Sequence, residues 1–211
     1  DMEGVTRVPE EIMYKVFGIN AELLIDHAWG RESCTLADIK SYKSESKSIS
    51  NSQILFEDYT FEKAQLVMDE MVLSGCHRLM REHLITNKVG IYVGYSKDVV
   101  APTGGTVRMH ETTNLYSIIN PYVRKLFQQT TDKTAPIRRI GIDFTNLLDD
   151  CCEGYDLFTD MEAISREKRS ESAVLHLQDR YGKNAVLRAS DLLEGATAIQ
   201  RNKLIGGHNS E

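Results

Sequence analysis

The chain has 211 residues, 41% of them hydrophobic, with 25 basic against 31 acidic side chains. That is enough apolar mass for one medium domain or a small one with appendages. Apolar runs of only a few residues exclude a membrane-spanning helix, and the opening Asp1-Met2-Glu3 lacks the basic and apolar regions of a signal peptide. The net charge of −6 is uneven: residues 1–46 hold 5 basic and 9 acidic groups, residues 47–147 hold 12 and 10, and residues 148–211 hold 8 and 12. Only the middle segment is positive, a mild preference for a polyanionic partner.

A chain that opens with Asp and enters helix-like sequence at once reads as an excised piece of something longer. Residues 10–29 read as two short helices broken at Gly18, with Asn20 placed to cap the second and Gly30 to stop it. With too few apolar residues to stand alone, this segment reads as the end of a preceding helical domain. The polar stretch from Arg31 to Ser46, rich in serine and lysine toward its end, reads as a linker.

Strand-like alternation begins at Ser48, Ser50 and Ser52 around Ile49 and loosens at Gln53-Ile54-Leu55-Phe56. Asp58-Tyr59-Thr60-Phe61 then predicts the start of a long helix to about Leu84, with Phe61, Ala64, Val67 or Met68, Met71, Gly75 and Leu79 at helical spacing. Two strands follow. In one, Val89, Ile91, Val93 and Tyr95 alternate with Gly90, Tyr92 and Gly94; in the other, Val107 and Met109 alternate with Thr106, Arg108, His110 and Thr112. The turn-rich Ala101-Pro102-Thr103-Gly104-Gly105 joins them.

From Asn114 a second helix carries Leu115, Ile118, Ile119, Tyr122, Val123, Leu126 and Phe127 on one face, with Pro121 requiring either a kink or a fresh start capped by Asn120. Residues 136–147 then alternate most clearly, with Ile140, Ile142 and Phe144 against Arg139, Gly141, Asp143 and Thr145. The order β-α-β-β-α-β predicts an α+β fold: a four-stranded, antiparallel-type sheet with two helices on one face. Its other face is assembled from Ser, Thr, Gly, Tyr, His and Arg, a surface suited to a phosphate backbone. Beyond Asp149 the chain turns acidic, then helical over residues 161–181. This tail, with no compact core of its own, is expected to lean on a partner or on the sheet domain.

Chemistry of other kinds finds little support. Cys34, Cys76, Cys151 and Cys152 form no C-x-x-C pair and meet no histidine at zinc-ligand spacing, so they read as reduced thiols and no metal is assigned. The acidic pair Asp149-Asp150 reads as part of a linker rather than a metal site.

Several stretches, in order, resemble one family. Gly18-Ile19-Asn20-Ala21-Glu22-Leu23-Leu24 with His27-Ala28-Trp29-Gly30, Lys47-Ser48-Ile49-Ser50, and Ile137-Arg138-Arg139-Ile140-Gly141-Ile142 are similar to the end of the thumb, the linker and the little finger of Y-family translesion DNA polymerases. Leu193-Glu194-Gly195-Ala196-Thr197, Arg201-Asn202 and Ile205-Gly206-Gly207-His208 look like the tail of UmuC-like members from Gram-positive bacteria. The resemblance covers nearly the whole chain. It implies four segments: residues 1–30 as the thumb end, 31–46 as linker, 47–149 as a DNA-binding little finger, and 150–211 as a clamp-binding linker with a helical tail.

By the same resemblance, the open sheet face grips primer-template DNA through Lys47, Ser48, Ser50, Thr106, Arg108, Arg138 and Arg139. The carboxylates that bind Mg²⁺ would lie in a palm domain N-terminal to Asp1, so this piece is expected to carry no cofactor and to catalyse nothing itself. A cytoplasmic setting without membrane contact is also implied. Tyr155-Asp156-Leu157-Phe158 resembles the bacterial sliding-clamp-binding pentapeptide (Gln, any residue, Asp or Ser, Leu, Phe), with Gly154 in place of the glutamine. The opposing reading makes Leu157 and Phe158 ordinary core under the following helix. Two further readings compete with DNA gripping. One is a regulatory protein-interaction domain that never touches DNA, favoured by the acidic balance. The other is an RNA-recognition-type sheet, for which only Tyr92 is a suitably placed aromatic.

Overall fold

A computed structural model describes residues 1–42, 48–96, 100–205 and 208–209. The chain divides into two compact units, Asp1–Glu45 and Ser46–Glu211.

The first unit is helical. Helix α1 (Met2–Thr6) is capped by Asp1, whose carboxylate accepts from the Gly4 amide at 2.7 Å. Helix α2 (Glu10–Phe17) ends at Gly18, whose φ of 57° is the left-handed conformation that glycine adopts without strain. Helix α3 (Asn20–Ala28) follows, so Asn20 is its first helical residue rather than its cap, and Ile19 occupies the cap position. Met13, Ala21 and Ile25 form the small core, with Val5 and Leu24 against it. The predicted linker also contains a helix, α4 (Leu36–Ser41), held by a reciprocal capping box between Thr35 and Asp38.

The second unit contains the β-α-β-β-α-β order expected from the sequence. It comprises β1 (Ser48–Tyr59), α5 (Phe61–Arg81), β2 (Leu84–Tyr95), β3 (Thr103–Thr113), α6 (Tyr116–Thr130) and β4 (Ile137–Thr145). A two-residue strand, β5 (Leu148–Asp149), adds a fifth member by pairing with Leu84 and Ile85 of β2. The main strands lie in the order β1-β4-β2-β3, all antiparallel, so the last long strand is inserted between the first and second.

The core lies between this sheet and the two long helices. Helix α5 contributes Ala64, Val67, Met68, Met71, Cys76 and Leu79, α6 contributes Ile119, Val123 and Phe127, and the strands contribute Val89, Ile91, Val93, Ile140, Ile142 and Phe144. Gly75 marks the closest approach of α5 to the sheet, because a Cβ there would lie 2.1 Å from the Phe144 ring. Thr60 caps α5, and the helix ends at Arg81 rather than near Leu84: His83 takes a φ of 55°, and Leu84 already belongs to β2. Helix α6 starts at Tyr116 with Leu115 at its cap, two residues beyond Asn114, and runs through Pro121 without a new start. Arg124 of α6 clasps Asp69 of α5 through contacts of 2.6–3.1 Å.

The C-terminal region packs on the helical side of this unit. Helix α7 (Met161–Tyr181) begins where the sequence places it. It meets α5 through His77 with Glu171 at 2.8 Å and Arg81 with Asp179 at 2.9 Å. The short helix α8 (Ala198–Arg201) follows Thr197, whose amide and hydroxyl both donate to the Glu70 carboxylate at 3.0–3.2 Å. Arg201 reaches Gln53 of β1 at 3.2 Å. Beyond it β6 (Leu204–Ile205) pairs with β7 (His208–Asn209). Among the described residues, no helix is long and apolar enough to cross a membrane.

Candidate nucleic-acid interface

Strand alternation sends side chains to opposite sheet faces, and the pairing register arranges the outward ones in rows. Ser48, Thr145, Lys88 and Arg108 form one row. Ser50, Asp143, Gly90 and Thr106 form the next, followed by Ser52, Gly141, Tyr92 and Gly104. Ile54, Arg139 and Gly94 complete the face. Ser50, Ser52, Lys88, Thr106, Arg108 and Arg139 are exposed.

A depression of about 370 Å³ occupies the middle, lined by Ser50, Ser52, Tyr92, Arg139, Gly141 and Asp143 among others. Its floor is low because glycines stand where side chains would otherwise rise. At Gly141 a Cβ would sit 3.4 Å from Ser52 and 3.6 Å from Tyr92. At Gly94 it would press on the Arg139 Cβ and the Tyr92 ring at 3.2 and 3.3 Å, and the Arg139 guanidinium lies 5.5 Å from the centre of that ring. That stacking holds the arginine over the face while leaving its donors free for an anion.

Among the described residues in these rows, one is an acid. The Asp143 carboxylate lies across Gly90, where a Cβ would be only 2.5 Å from its oxygen. Partial burial pushes the Asp143 carboxyl up, with Lys88 opposing. The chemistry of the face is therefore hydroxyls, glycine backbone and the cations Lys88, Arg108 and Arg139 around a carboxyl whose charge is disfavoured.

The candidate residues are distributed as follows. Ser48, Ser50, Thr106, Arg108 and Arg139 share the open face, whereas Lys47 lies outside the described residues. Arg138 stands at a bulge, between the pairs Gly94–Arg139 and Tyr95–Ile137, and turns to Asp58 at 3.7 Å. Alternation breaks at a bulge, which is why its orientation is not readable from parity with Ile140. Lys88 is absent from the residues singled out in the sequence, although its parity with Gly90 and Tyr92 carries the signal.

The linear motif is set on a second support. Gly154 makes an antiparallel bridge to Thr112, with amide-to-carbonyl distances of 2.9 and 3.1 Å, and the Tyr155 hydroxyl meets Thr113 at 3.2 Å. The Asp156 carboxylate then accepts from the Phe158 amide at 3.0 Å and the Thr159 hydroxyl at 2.6 Å, closing a turn that holds its own carboxyl below the usual range. Beyond these anchors Leu157 is 99% exposed and Phe158 is 95% exposed. The reading of this pair as core is thereby overturned.

A larger cleft of about 900 Å³ separates α5 and β1 from the tail, but several of its basic residues are already engaged. Arg81 pairs with Asp179, Arg188 with Glu171, Arg78 with Glu82, and Arg201 bonds to Gln53. Among the described residues, no cluster of three or more His, Cys, Asp or Glu side chains could hold a metal ion.

A split β-α-β unit with two helices on one face, a polar open sheet on the other and an apolar linear motif beyond it defines the class of this molecule. Residues 46–156, just over half of the chain, match the model of the impB/mucB/samB family C-terminal domain. The chain belongs to that family and corresponds to its C-terminal part, in line with the resemblance to UmuC-like polymerases. It is 30% identical over 215 residues to a putative UV-damage repair protein, UvrX, of Bacillus subtilis, covering 98% of this chain and 49% of the relative. It is 28% identical to a DNA polymerase IV 2 of the same organism, over 97% of this chain and 49% of the relative. A DNA polymerase IV 2 of Halalkalibacterium halodurans is 27% identical over 91% of this chain and 46% of its own length. The chain thus spans about half the length of the curated relatives it matches.

Proposed function

We propose that this chain is the DNA-gripping and clamp-tethering region of a translesion DNA polymerase, acting in the tolerance of damaged templates in the bacterial cytoplasm. The observation that carries the reading is the uncovered sheet face, where Ser50, Ser52, Thr106, Arg108 and Arg139 are exposed around glycines. Hydroxyls and backbone amides in such shallow positions suit close approach to phosphates, and the arginines add charge and bidentate geometry. Binding of this kind holds primer-template DNA without reading its sequence. Its contribution to rate is through proximity to a catalytic centre supplied elsewhere in the whole protein, where Mg²⁺ is expected.

Burial of the open face by the tail would favour the protein-interaction reading. The tail's bonds go instead to Glu70 and Lys63 on the helical side and to Gln53, which favours DNA. Clamp tethering is supported by the exposure of Leu157 and Phe158 beyond a pinned Gly154. Two adjacent large apolar side chains held in water are suited to a hydrophobic pocket on a partner.

Primer-template binding measured by fluorescence anisotropy at two salt concentrations tests the first part. Salt-sensitive binding, indifferent to sequence, is expected; no binding even at low salt would overturn it.

A further inference from the structure

Cys151 and Cys152 are adjacent, both exposed, and their sulfur atoms lie 3.7 Å apart in the single 3-10 turn Asp150–Cys152. We propose that they form a redox-active vicinal dithiol, closed to a disulfide within the turn by exchange with a low-molecular-weight disulfide. This role is independent of clamp or DNA binding.

The turn is fixed at both ends, which keeps the two thiols together. The Asp150 amide donates to the His83 carbonyl at 3.0 Å, and its carboxylate meets the His83 ring at 3.1 Å. Downstream, Glu153 is ion-paired with Lys168 and Gly154 is bridged to Thr112. Between these anchors the sulfurs already touch, so ring closure needs rotation of side chains and a change within one turn rather than movement of an element. The other cysteines are differently placed: Cys76 is buried in the core with its thiol pushed up by desolvation, and Cys34 is an exposed thiol in the other unit.

The chemistry balances in two steps. One cysteine, as thiolate, attacks a sulfur of the small disulfide. The expelled thiolate takes up the released proton and leaves as the first small thiol. The neighbouring cysteine then attacks the cysteine sulfur of the mixed disulfide and expels the second small thiol, its own proton going to that leaving group. The protein pair loses two electrons and the small disulfide gains them.

Two features bear on how the site exchanges. The neighbouring Cys152 thiol, and after it the carboxylates of Asp149 and Asp150, push the Cys151 thiol up, which lowers its thiolate fraction and slows its attack on a small disulfide. Adjacent Cα atoms lie about 3.8 Å apart, shorter than the lower end of about 4.4 Å for ordinary disulfides, so the ring is strained and readily reopened. Its position two residues before Gly154 puts this strain beside the segment that presents Leu157 and Phe158.

The test uses the intact chain carrying Cys34→Ser, equilibrated with mixtures of reduced and oxidised glutathione and read by peptide mass after alkylation. The expected result is loss of the mass of two hydrogens from the peptide holding Cys151 and Cys152, reversed by dithiothreitol. Cys151→Ser and Cys152→Ser should each instead retain a stable glutathione adduct. Phenylarsine oxide should protect both thiols of the reduced parent from alkylation and protect neither single variant. A parent that accumulates glutathione adducts without the internal disulfide, or that the arsenical leaves open to alkylation, would overturn the proposal.

Discussion

Replacing Leu157 and Phe158 together by alanine separates the two roles that such a pair can have. In the free chain these side chains are 99% and 95% exposed, so truncation removes almost no packing from the folded state. Surface changes of this kind stay within about 0.5 kcal/mol. For a chain of this size that moves the thermal midpoint by less than about 2 °C. In a partner pocket the same side chains would each contribute about 1.5–3 kcal/mol by burial. The double variant should therefore bind a β-type sliding clamp about 10²- to 10⁴-fold more weakly, at about 1.4 kcal/mol per factor of ten. Surface plasmon resonance with immobilised clamp, run beside a thermal melt, reads both quantities. Unchanged clamp affinity would refute the tethering role, and a midpoint lowered by many degrees would refute the reasoning from exposure.

Gly154→Gln tests the missing anchor. A Cβ there would be no nearer than 3.9 Å to Thr112, so the glutamine fits and should tighten clamp binding about fivefold, the worth of one hydrogen bond; weaker binding by the same resonance assay would contradict this. Arg108→Ala with Arg139→Ala should lower affinity equally across DNA sequences and reduce the salt slope by about 0.9 for each phosphate no longer neutralised, as measured by anisotropy over a salt series. Asp143→Asn should bind DNA more tightly at neutral pH. Because the folded carboxyl is raised, wild type becomes neutral first and should converge on the variant as pH falls through that raised value, a convergence an anisotropy titration would detect. Glu171 is held low chiefly by its hydrogen bond to His77, then by Arg188. Its stabilising contribution is present above the ordinary carboxylate range and is lost as pH falls through the depressed folded value, so the stability gap to Glu171→Gln should close only in acid, read by urea unfolding.

Much of the second unit is legible in the sequence because its helices and central strands repeat their periods without interruption. The inward residues of α5 include Ala64, Met68, Met71, Gly75 and Leu79, all at helical spacing. Where the period breaks, legibility ends. Helix α4 is hidden in a serine- and lysine-rich stretch whose start signal is the Thr35/Asp38 box. The first half of β2 does not alternate, since Ile85 and Thr86 are both buried, and so the sequence carries the helix on to about Leu84 and shows the strand only from Val89. Strand order is not written locally at all: β4 lies between β1 and β2 through pairings some ninety and fifty residues apart, such as Ile49 with Phe144 and Ile91 with Ile142.

The site follows the same division. Parity places Arg139 and Arg108 on the uncovered face, but it does not reveal that Arg138 sits at a bulge or that Asp143 lies over Gly90. The motif at Tyr155 is readable as a pattern, whereas its exposure depends on Thr112 and Thr113, more than forty residues away.

Strand β3 joins the two candidate surfaces. Its outward residues Thr106 and Arg108 belong to the open face, while Thr112 and Thr113 at its end hold Gly154 and Tyr155. The bridge at Gly154 uses only backbone groups, so it survives changes of side chain in the motif and fixes where Leu157 and Phe158 emerge. A flexible tether from Asp149 would leave that point undefined. Because one strand carries both surfaces, DNA held on the sheet and a clamp held on the motif would be related by a short, hydrogen-bonded segment rather than by a free linker.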